Sequence, residues 1–297
     1  MSYGELPDIA NDYSAASQLM PSGVILGGDL KNVMEVDLRA PDQVQEWVTH
    51  SWYKQGDESK GLHPFDGVTD PNFVLGAATK GTRTNIENLD ESAKYSWVKS
   101  PRWKGQPVEV GPLARYIVAY ARGNKEMTEQ GTMVLKTLDV PVTALFSTLG
   151  RTAARGLECS WAAHKMKYFY DQLMTNLKAG DFATANVEKW EPSTWPAEAR
   201  GVAPVEAPRG ALAHWVKIKN TRIDSYQCVV PTTWNAGPRD AKGQIGAYEA
   251  ALLNTPMANP QQPLEILRTI HSFDPCLACA THVMSPEGEE LVAVTVR

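Results

Sequence analysis

The stretch Ser272-Phe273-Asp274-Pro275-Cys276-Leu277-Ala278-Cys279-Ala280-Thr281-His282 sets the reading of the whole chain. It brings two thiols and an imidazole into close succession just before a short polar tail. The spacing of Cys276 and Cys279 predicts one helical turn with both sulfurs on one side, and His282 falls three residues further on. Pro275 suits the first turn of a helix, and Asp274 the N-cap before it. Three chemistries are open to such a stretch. Paired cysteines can be buried as small hydrophobes. A redox C-x-x-C is the second, but that motif usually opens a helix within a thioredoxin-like βαβ pattern, and none surrounds this one. The third is a metal site, because thiolates select zinc, nickel or clustered iron. A closed site takes about four ligands, and this stretch offers fewer.

The 297 residues suffice for one large or two ordinary domains. Hydrophobic residues at 43% and charged residues at 21% are ordinary for a globular protein. A net charge of -5 and the lack of any basic stripe argue against a nucleic-acid partner. The four cysteines, Cys159, Cys228, Cys276 and Cys279, are too few for a disulfide scaffold. No apolar run approaches a membrane span, and Met1 to Pro7 has neither the basic nor the apolar region of a signal peptide. Export, if it occurs, is expected to use an address on another chain.

Upstream, residues 1–107 read as irregular connection that wraps something else. Val24-Ile25-Leu26 is a strand candidate, and Pro41 to Trp52 a short helix on the spacing of Val44, Trp47 and Val48. Helix is predicted from near Val108 to Arg122, from Lys125 to Leu138, and without interruption from Val142 to Leu177. In that last run Leu149, Gly156, Cys159, Ala163, Met166 and Leu173 keep a helical period, which makes Cys159 a core position. Ala211 to Lys219 and Arg222 to Val230 predict a β-hairpin around Asn220-Thr221, led into by Pro208-Arg209-Gly210 and ended by Pro231. Helices follow near Ala241 to Leu253 and Pro263 to His271, then a turn at Pro286-Glu287-Gly288 and a strand from Leu291 to Val296.

These segments line up with one family. Tyr95-Ser96-Trp97, Pro101-Arg102-Trp103, Glu109-Val110-Gly111-Pro112-Leu113-Ala114-Arg115, Ser147-Thr148-Leu149-Gly150-Arg151, the Arg209-Gly210-Ala211-Leu212 loop and the Asp-Pro-Cys-x-x-Cys-x-x-His ending run along the whole chain. Together they closely resemble the C-terminal half of the large subunit of the nickel–iron (NiFe) hydrogenases, the membrane-bound uptake group in particular. The resemblance implies a mainly α fold with a small β component (α+β), a multihelical bundle with one β-hairpin before the active-site segment. It divides the chain into a wrapping segment (1–107), a helical bundle (108–200), the active-site hairpin and cysteine motif (201–282) and a removable C-terminal extension (283–297).

For the site, the resemblance implies a Ni-Fe centre with cyanide (CN) and carbon monoxide (CO) on iron. Cys276 would be a terminal nickel ligand, and Cys279 would bridge nickel and iron. Arg209 would sit over the metals and act by its charge, since a guanidinium resists deprotonation. Asp274 would pair with Arg209. Pro231 and Thr232 would line the iron diatomics, with Thr232 donating to a cyanide, and Leu212 would form an apolar wall. His282 and the backbone carbonyl of Cys228 would bind magnesium (Mg), leaving the Cys228 thiol to pack and His214 to serve as a satisfied structural histidine. The implied reaction is reversible heterolytic cleavage of hydrogen, with electrons passed to an iron–sulfur small subunit. A membrane cytochrome b and a maturation endopeptidase cutting after His282 are further implied partners. The implied place is the periplasmic side of the cytoplasmic membrane, reached by co-export with the small subunit.

The sequence departs from the family pattern in one respect. The family's other C-x-x-C, and the acidic residue beside it, lie in a chain about twice as long, while Cys159 and Cys228 here stand alone and far apart. The expectation is a fragment or precursor that is inactive in isolation. The alternative is a remnant that at most binds zinc at Cys276, Cys279 and His282. A more distant relative, the hydrogenase-like subunit of respiratory quinone reductases, generally lacks these cysteines.

Overall fold

Three tryptophans mark where the core sits: Trp103, Trp215 and Trp234 are each 1% exposed. They meet in a computed structural model that describes residues 1–7, 12, 14–72, 74–75, 86–87, 92–185, 187–276, 280–284 and 290–295. Trp215 lies on a three-stranded antiparallel sheet of β9 (Glu198–Ala207), β10 (Gly210–Lys219) and β11 (Arg222–Val229), with β10 in the middle. Side chains alternate across a strand, so Ala211, Ala213 and Trp215 all face the core. Asn220 and Thr221 join β10 to β11 with positive φ at both positions, the tight turn expected there.

The first hundred residues supply the other side of this core. Short antiparallel pairs join β1 (Glu5–Pro7) to β2 (Gln18–Met20), β3 (Val44–Trp47) to β8 (Ser100–Trp103), β4 (Tyr53–Lys54) to β5 (Asp70–Pro71) and β6 (Val74–Leu75) to β7 (Ile86–Glu87). Val24, Leu38, Val44, Phe65 and Trp103 from this segment pack with Trp215. The indole N–H groups of Trp103 and Trp215 donate to Gln43 Oε1 at 3.0 Å and Leu38 O at 3.1 Å. The segment therefore wraps the sheet. Within it, the expected helix from Pro41 to Trp52 is strand β3. Its β-formers Val44 and Trp47 find a partner in β8, and pairing overrides the helical spacing. Val24 forms a single bridge to Met34 in place of a full strand.

Six helices lie among the described residues. Gly111 precedes α1 (Pro112–Ala121), which begins later than Val108 because Pro112 takes its first turn. Asn124 caps α2 (Lys125–Leu138), accepting from Met127 N at 3.1 Å. The long run does not hold from Val142. A 3₁₀ turn at Val142–Leu145 ends first, and Ser147 caps α3 (Thr148–Lys178) by accepting from Gly150 N at 3.0 Å. Leu113, Tyr116 and Ile117 of α1 meet Met127, Ala154 and Trp161 in a second core. Cys159, expected there, is exposed on the other side of α3. Then come α4 (Pro231–Ala236), α5 (Ala247–Leu252) and α6 (Leu264–Ser272).

The expected mainly α fold is thus corrected to a mixed one, with thirteen strands in several small sheets among the described residues. The longest of the strands not predicted is β9, whose Gly201 and Pro204 argue against a strand locally. It lies at the sheet edge, where a proline's missing N–H is tolerated. At the end of the chain β12 (Ala280–Met284) pairs with β13 (Glu290–Thr295). His282 is therefore in a strand, not on a helical turn; β-branched Thr281 and Val283 suit it. The predicted turn at 286–288 lies outside the described residues. No described helix is long and apolar enough to cross a membrane.

Candidate functional site

Arg209 is placed by a two-residue turn. Gly210 pairs with Ala207, so Pro208 and Arg209 alone link β9 to β10. The turn is held from α1, where Arg115 Nη1 donates to Ala207 O at 2.9 Å and Nη2 to Pro208 O at 3.0 Å. Arg115 is 1% exposed, and its charge is met by Glu206 at 2.7 Å and Glu158 at 2.6 Å. Burial raises the Glu206 carboxyl above its ordinary value, and Arg115 opposes that rise. Main chain also touches main chain here. A Cβ on Gly210, at φ 132°, would lie 2.6 Å from Gly111 N, so only glycine lets the turn seat against α1.

The facing wall is the end of α6. Phe273 is its C-cap, and Asp274 follows in the left-handed region at φ 55°. Asp274 therefore leaves one helix, in a left-handed conformation unlike the extended one usual at an N-cap; Leu277 to Cys279, over which the expected turn would run, lie outside the described residues. A short aspartate tolerates this conformation better than most side chains. The Phe273 ring is held between the Arg151 guanidinium, 3.9 Å from its centroid, and the Tyr248 ring at 4.7 Å. Glu109 fixes Arg151 through bonds of 2.7 and 2.9 Å. From this anchored position Asp274 Oδ1 reaches to 3.4 Å from Arg209 Nε, an ion pair without hydrogen-bond alignment. Both side chains are partly open to water, so the pair fixes direction more than it adds stability.

The third wall is α4, where Pro231 occupies the first turn and ends the β11 ladder. Thr232 is buried, and its Oγ1 accepts from Cys276 N at 3.1 Å. That bond ties down the backbone of Cys276, whose thiol is exposed. Arg209, Asp274, Cys276 and Thr232 are thus brought into one region by three different elements. Leu212 is half-buried on β10 close beyond Arg209, and Pro231 is buried beside Thr232. Cys279 lies outside the described residues, and for His282 the description is of its backbone in β12. Cys228 differs from expectation. Its thiol is exposed and 3.1 Å from His214 Nδ1, which is 2.5 Å from Tyr226 Oη, so it is hydrogen-bonded rather than packed. His214 is satisfied, as expected.

Sequence reasoning missed three contributors. Among the described residues the buried Tyr248 hydroxyl has no hydrogen-bond partner; burial and then Asp274 push its pKa up, with Arg209 opposing and Cys276 adding. Arg155 feels the same carboxylate: burial lowers its pKa, and Asp274 is the strongest charge opposing this. Arg115 was quoted within a motif, but nothing local shows that its target would be the main chain of the 207–208 turn. Among the described residues, no three His, Cys, Asp or Glu side chains converge as a metal cage. An exposed thiol on a fixed backbone suits a metal ligand, and one thiol falls short of a closed site.

A family model described as nickel-dependent hydrogenase matches residues 1–282. The uptake hydrogenase large subunit of Bradyrhizobium diazoefficiens is 64% identical over the whole chain, which spans 50% of that relative. The hydrogenase-1 large chain of Escherichia coli K12 is 58% identical with the same two shares, 100% and 50%. Among solved structures, the reduced, active form of the Ni-Fe-Se hydrogenase from Desulfomicrobium baculatum superposes with a TM-score of 0.71 at 32% identity, over 93% of this chain and 50% of that one. The chain spans about half the length of the curated relatives it matches.

Proposed function

This chain belongs to the nickel-dependent hydrogenase family, and from that premise we propose that it is the C-terminal, metal-binding part of an uptake hydrogenase large subunit. The observation that carries the reading is the meeting of the Arg209–Asp274 pair with Cys276, whose backbone is held by Thr232. Cys276 and Cys279 would hold nickel, with Cys279 shared with iron, and further thiolates would come from the half of the large subunit that the relatives carry. The residues present fit that group as far as they go: soft donors beside a fixed positive charge. When bound, the Ni-Fe centre supplies the activation of hydrogen.

What this chain adds is placement. Asp274 holds Arg209 in one direction, and Arg115 holds the turn beneath it. The guanidinium would serve the bound centre as a fixed charge and hydrogen-bond donor. Pro231, Thr232 and Leu212 would line the side of the site that faces the iron. His282 and the Cys228 carbonyl would bind magnesium. An iron–sulfur small subunit would take the electrons, and cleavage after His282 would complete maturation. The family match, which ends at His282, supports that boundary.

Nickel, iron and intact mass, measured on the same purified chain, test this. Alone, the chain is expected to hold no stoichiometric nickel and to show no hydrogen-dependent dye reduction. Produced with the complementary half in a host that matures such enzymes, it should carry nickel and end at His282. Cys276→Ser should then lose nickel. Arg209→Lys should keep it while activity falls about 10- to 100-fold, because an ammonium cannot reproduce the guanidinium's fixed donors. One zinc per isolated chain, lost on changing Cys276, would point instead to a structural zinc module.

A further inference from the structure

Three buried donors near one carboxylate have no acceptor. Arg209 Nε, Arg155 Nε and the Tyr248 hydroxyl are each out of water and without a hydrogen-bond partner among the described residues. The carboxylate is that of Asp274. Its Oδ1 lies 3.4 Å from Arg209 Nε, and among the described residues no aligned donor reaches it. A carboxylate offers about four acceptor positions, so most of the capacity of Asp274 is unused.

The fold brings the other two donors to the same place. Both α3 and α5 pack against α6, the helix that Asp274 follows. They reach its end at Phe273, through Arg151 of α3 and the Tyr248 ring of α5. Arg155 stands one turn beyond Arg151 on the same face of α3, and Asp274 stands one residue beyond Phe273. The charges agree with this placement. Burial keeps the Tyr248 hydroxyl protonated, and Asp274 is the charge that adds most to this. Burial works against the charge on Arg155, Asp274 does most to support it, and Arg209 opposes it. Two guanidinium groups that repel each other are held together by a shared carboxylate. Buried donors are nearly always satisfied, so open donors around an underused acceptor point to a network that this acceptor completes.

We propose that Tyr248 and Arg155 are positioning residues for Asp274: from α5 and α3 they donate to its carboxylate and fix the direction in which it holds Arg209. Both act through Asp274 and not on the reacting atoms. The inference rests on the reading of this site as a hydrogenase's. It adds what keeps the Arg209–Asp274 pair in one geometry although both side chains are partly open to water.

The first test is a cycle of variants in the free chain, read by urea unfolding: the parent, Tyr248→Phe, Asp274→Gly and the two together. Glycine accepts the left-handed backbone at position 274, so the fold is kept, and circular dichroism checks this. Loss of the hydroxyl is expected to lower the folding equilibrium constant about ten-fold in the parent and less than about two-fold in the Asp274→Gly background. Arg155→Gln should follow the same pattern. A Tyr248→Phe chain as stable as the parent, or an equal loss in both backgrounds, overturns the proposal, because the hydroxyl is then idle or bonded elsewhere. The second test uses the chain matured with the complementary half of the Bradyrhizobium diazoefficiens large subunit. Tyr248→Phe should keep nickel and the KM for hydrogen while kcat falls about five-fold, and the fall should vanish when Arg209→Lys is already present. An unchanged kcat, or an equal fall with and without Arg209→Lys, also overturns the proposal. A parent that takes up no nickel removes the hydrogenase reading, and the urea cycle then decides the network alone.

Discussion

Glu46 is a carboxylate held almost out of water, with Lys99 as its charge partner at 3.8 Å. Burial pushes its pKa from an ordinary 4.5 to about 7, and Lys99 only partly opposes this. Between those values the folded chain keeps a proton that the unfolded chain has lost, so stability falls as pH rises from about 4.5 to 7. The penalty above pH 7 is on the order of 3 kcal/mol. Lys99 stays satisfied without Glu46, since it also donates to Thr69 and Gln227. Glu46→Gln should therefore match the parent at pH 4.5 and gain roughly 1–2 kcal/mol at pH 8, read from urea unfolding at the two pH values. Such effects are invisible in the sequence, because a glutamate in a strand normally faces water. Asp274 is the converse case. Its partner Arg209 was legible through the family resemblance, but its backbone was not. An Asp-Pro pair reads as a helix start, and only the preceding α6 turns it into a helix exit.

At the scale of elements, what could be read was what local chemistry decides alone. Lys125–Leu138 was legible because Asn124 caps it and its exposed surface asks for no partner. The β10–β11 hairpin was legible from its β-formers and turn. By contrast β3 and β9 exist because another strand pairs with them, at separations that no window along the chain can see. The break before α3 is also local, and it is testable. Ser147 Oγ satisfies the Gly150 N–H, one of the four orphan donors at a helix start. Ser147→Ala should cost about 1 kcal/mol, while Ser147→Asp should hold or slightly raise stability through the helix dipole. Hydrogen exchange at Gly150 and Arg151 should rise in the alanine variant and leave α1 unchanged.

Across the whole molecule, the sheet and the first hundred residues form one body through the three buried tryptophans. Trp215→Ala should cost about 3–5 kcal/mol. Its exchange protection should fall together in β3, β8 and β10, because these share one core; separate losses would mean that the wrapping segment folds by itself. The buried pair of Arg102 and Asp240, at 2.8 Å, ties that segment to the loop after α4 in the same way. The candidate site was partly legible: the sequence singled out Arg209, Asp274, Cys276 and Thr232, and the fold puts Asp274 beside Arg209 and Cys276 beside Thr232. The scaffold behind them was not, because Arg115, Arg151 and Tyr248 act across long stretches of chain. The contact of Gly210 with Gly111 has a consequence for how such a chain can drift over generations. Two positions far apart in the gene are each closed to change, since a methyl group on Gly210 would meet the main chain at Gly111, and one on Gly111 would lie 3.2 Å from the carbonyl oxygen of Arg209. Both blocks are main chain, so an exchange at one glycine does not open the other. A lineage that keeps Arg209 in use therefore carries two separately fixed glycines, whereas the neighbouring exposed positions on β9 remain free to vary.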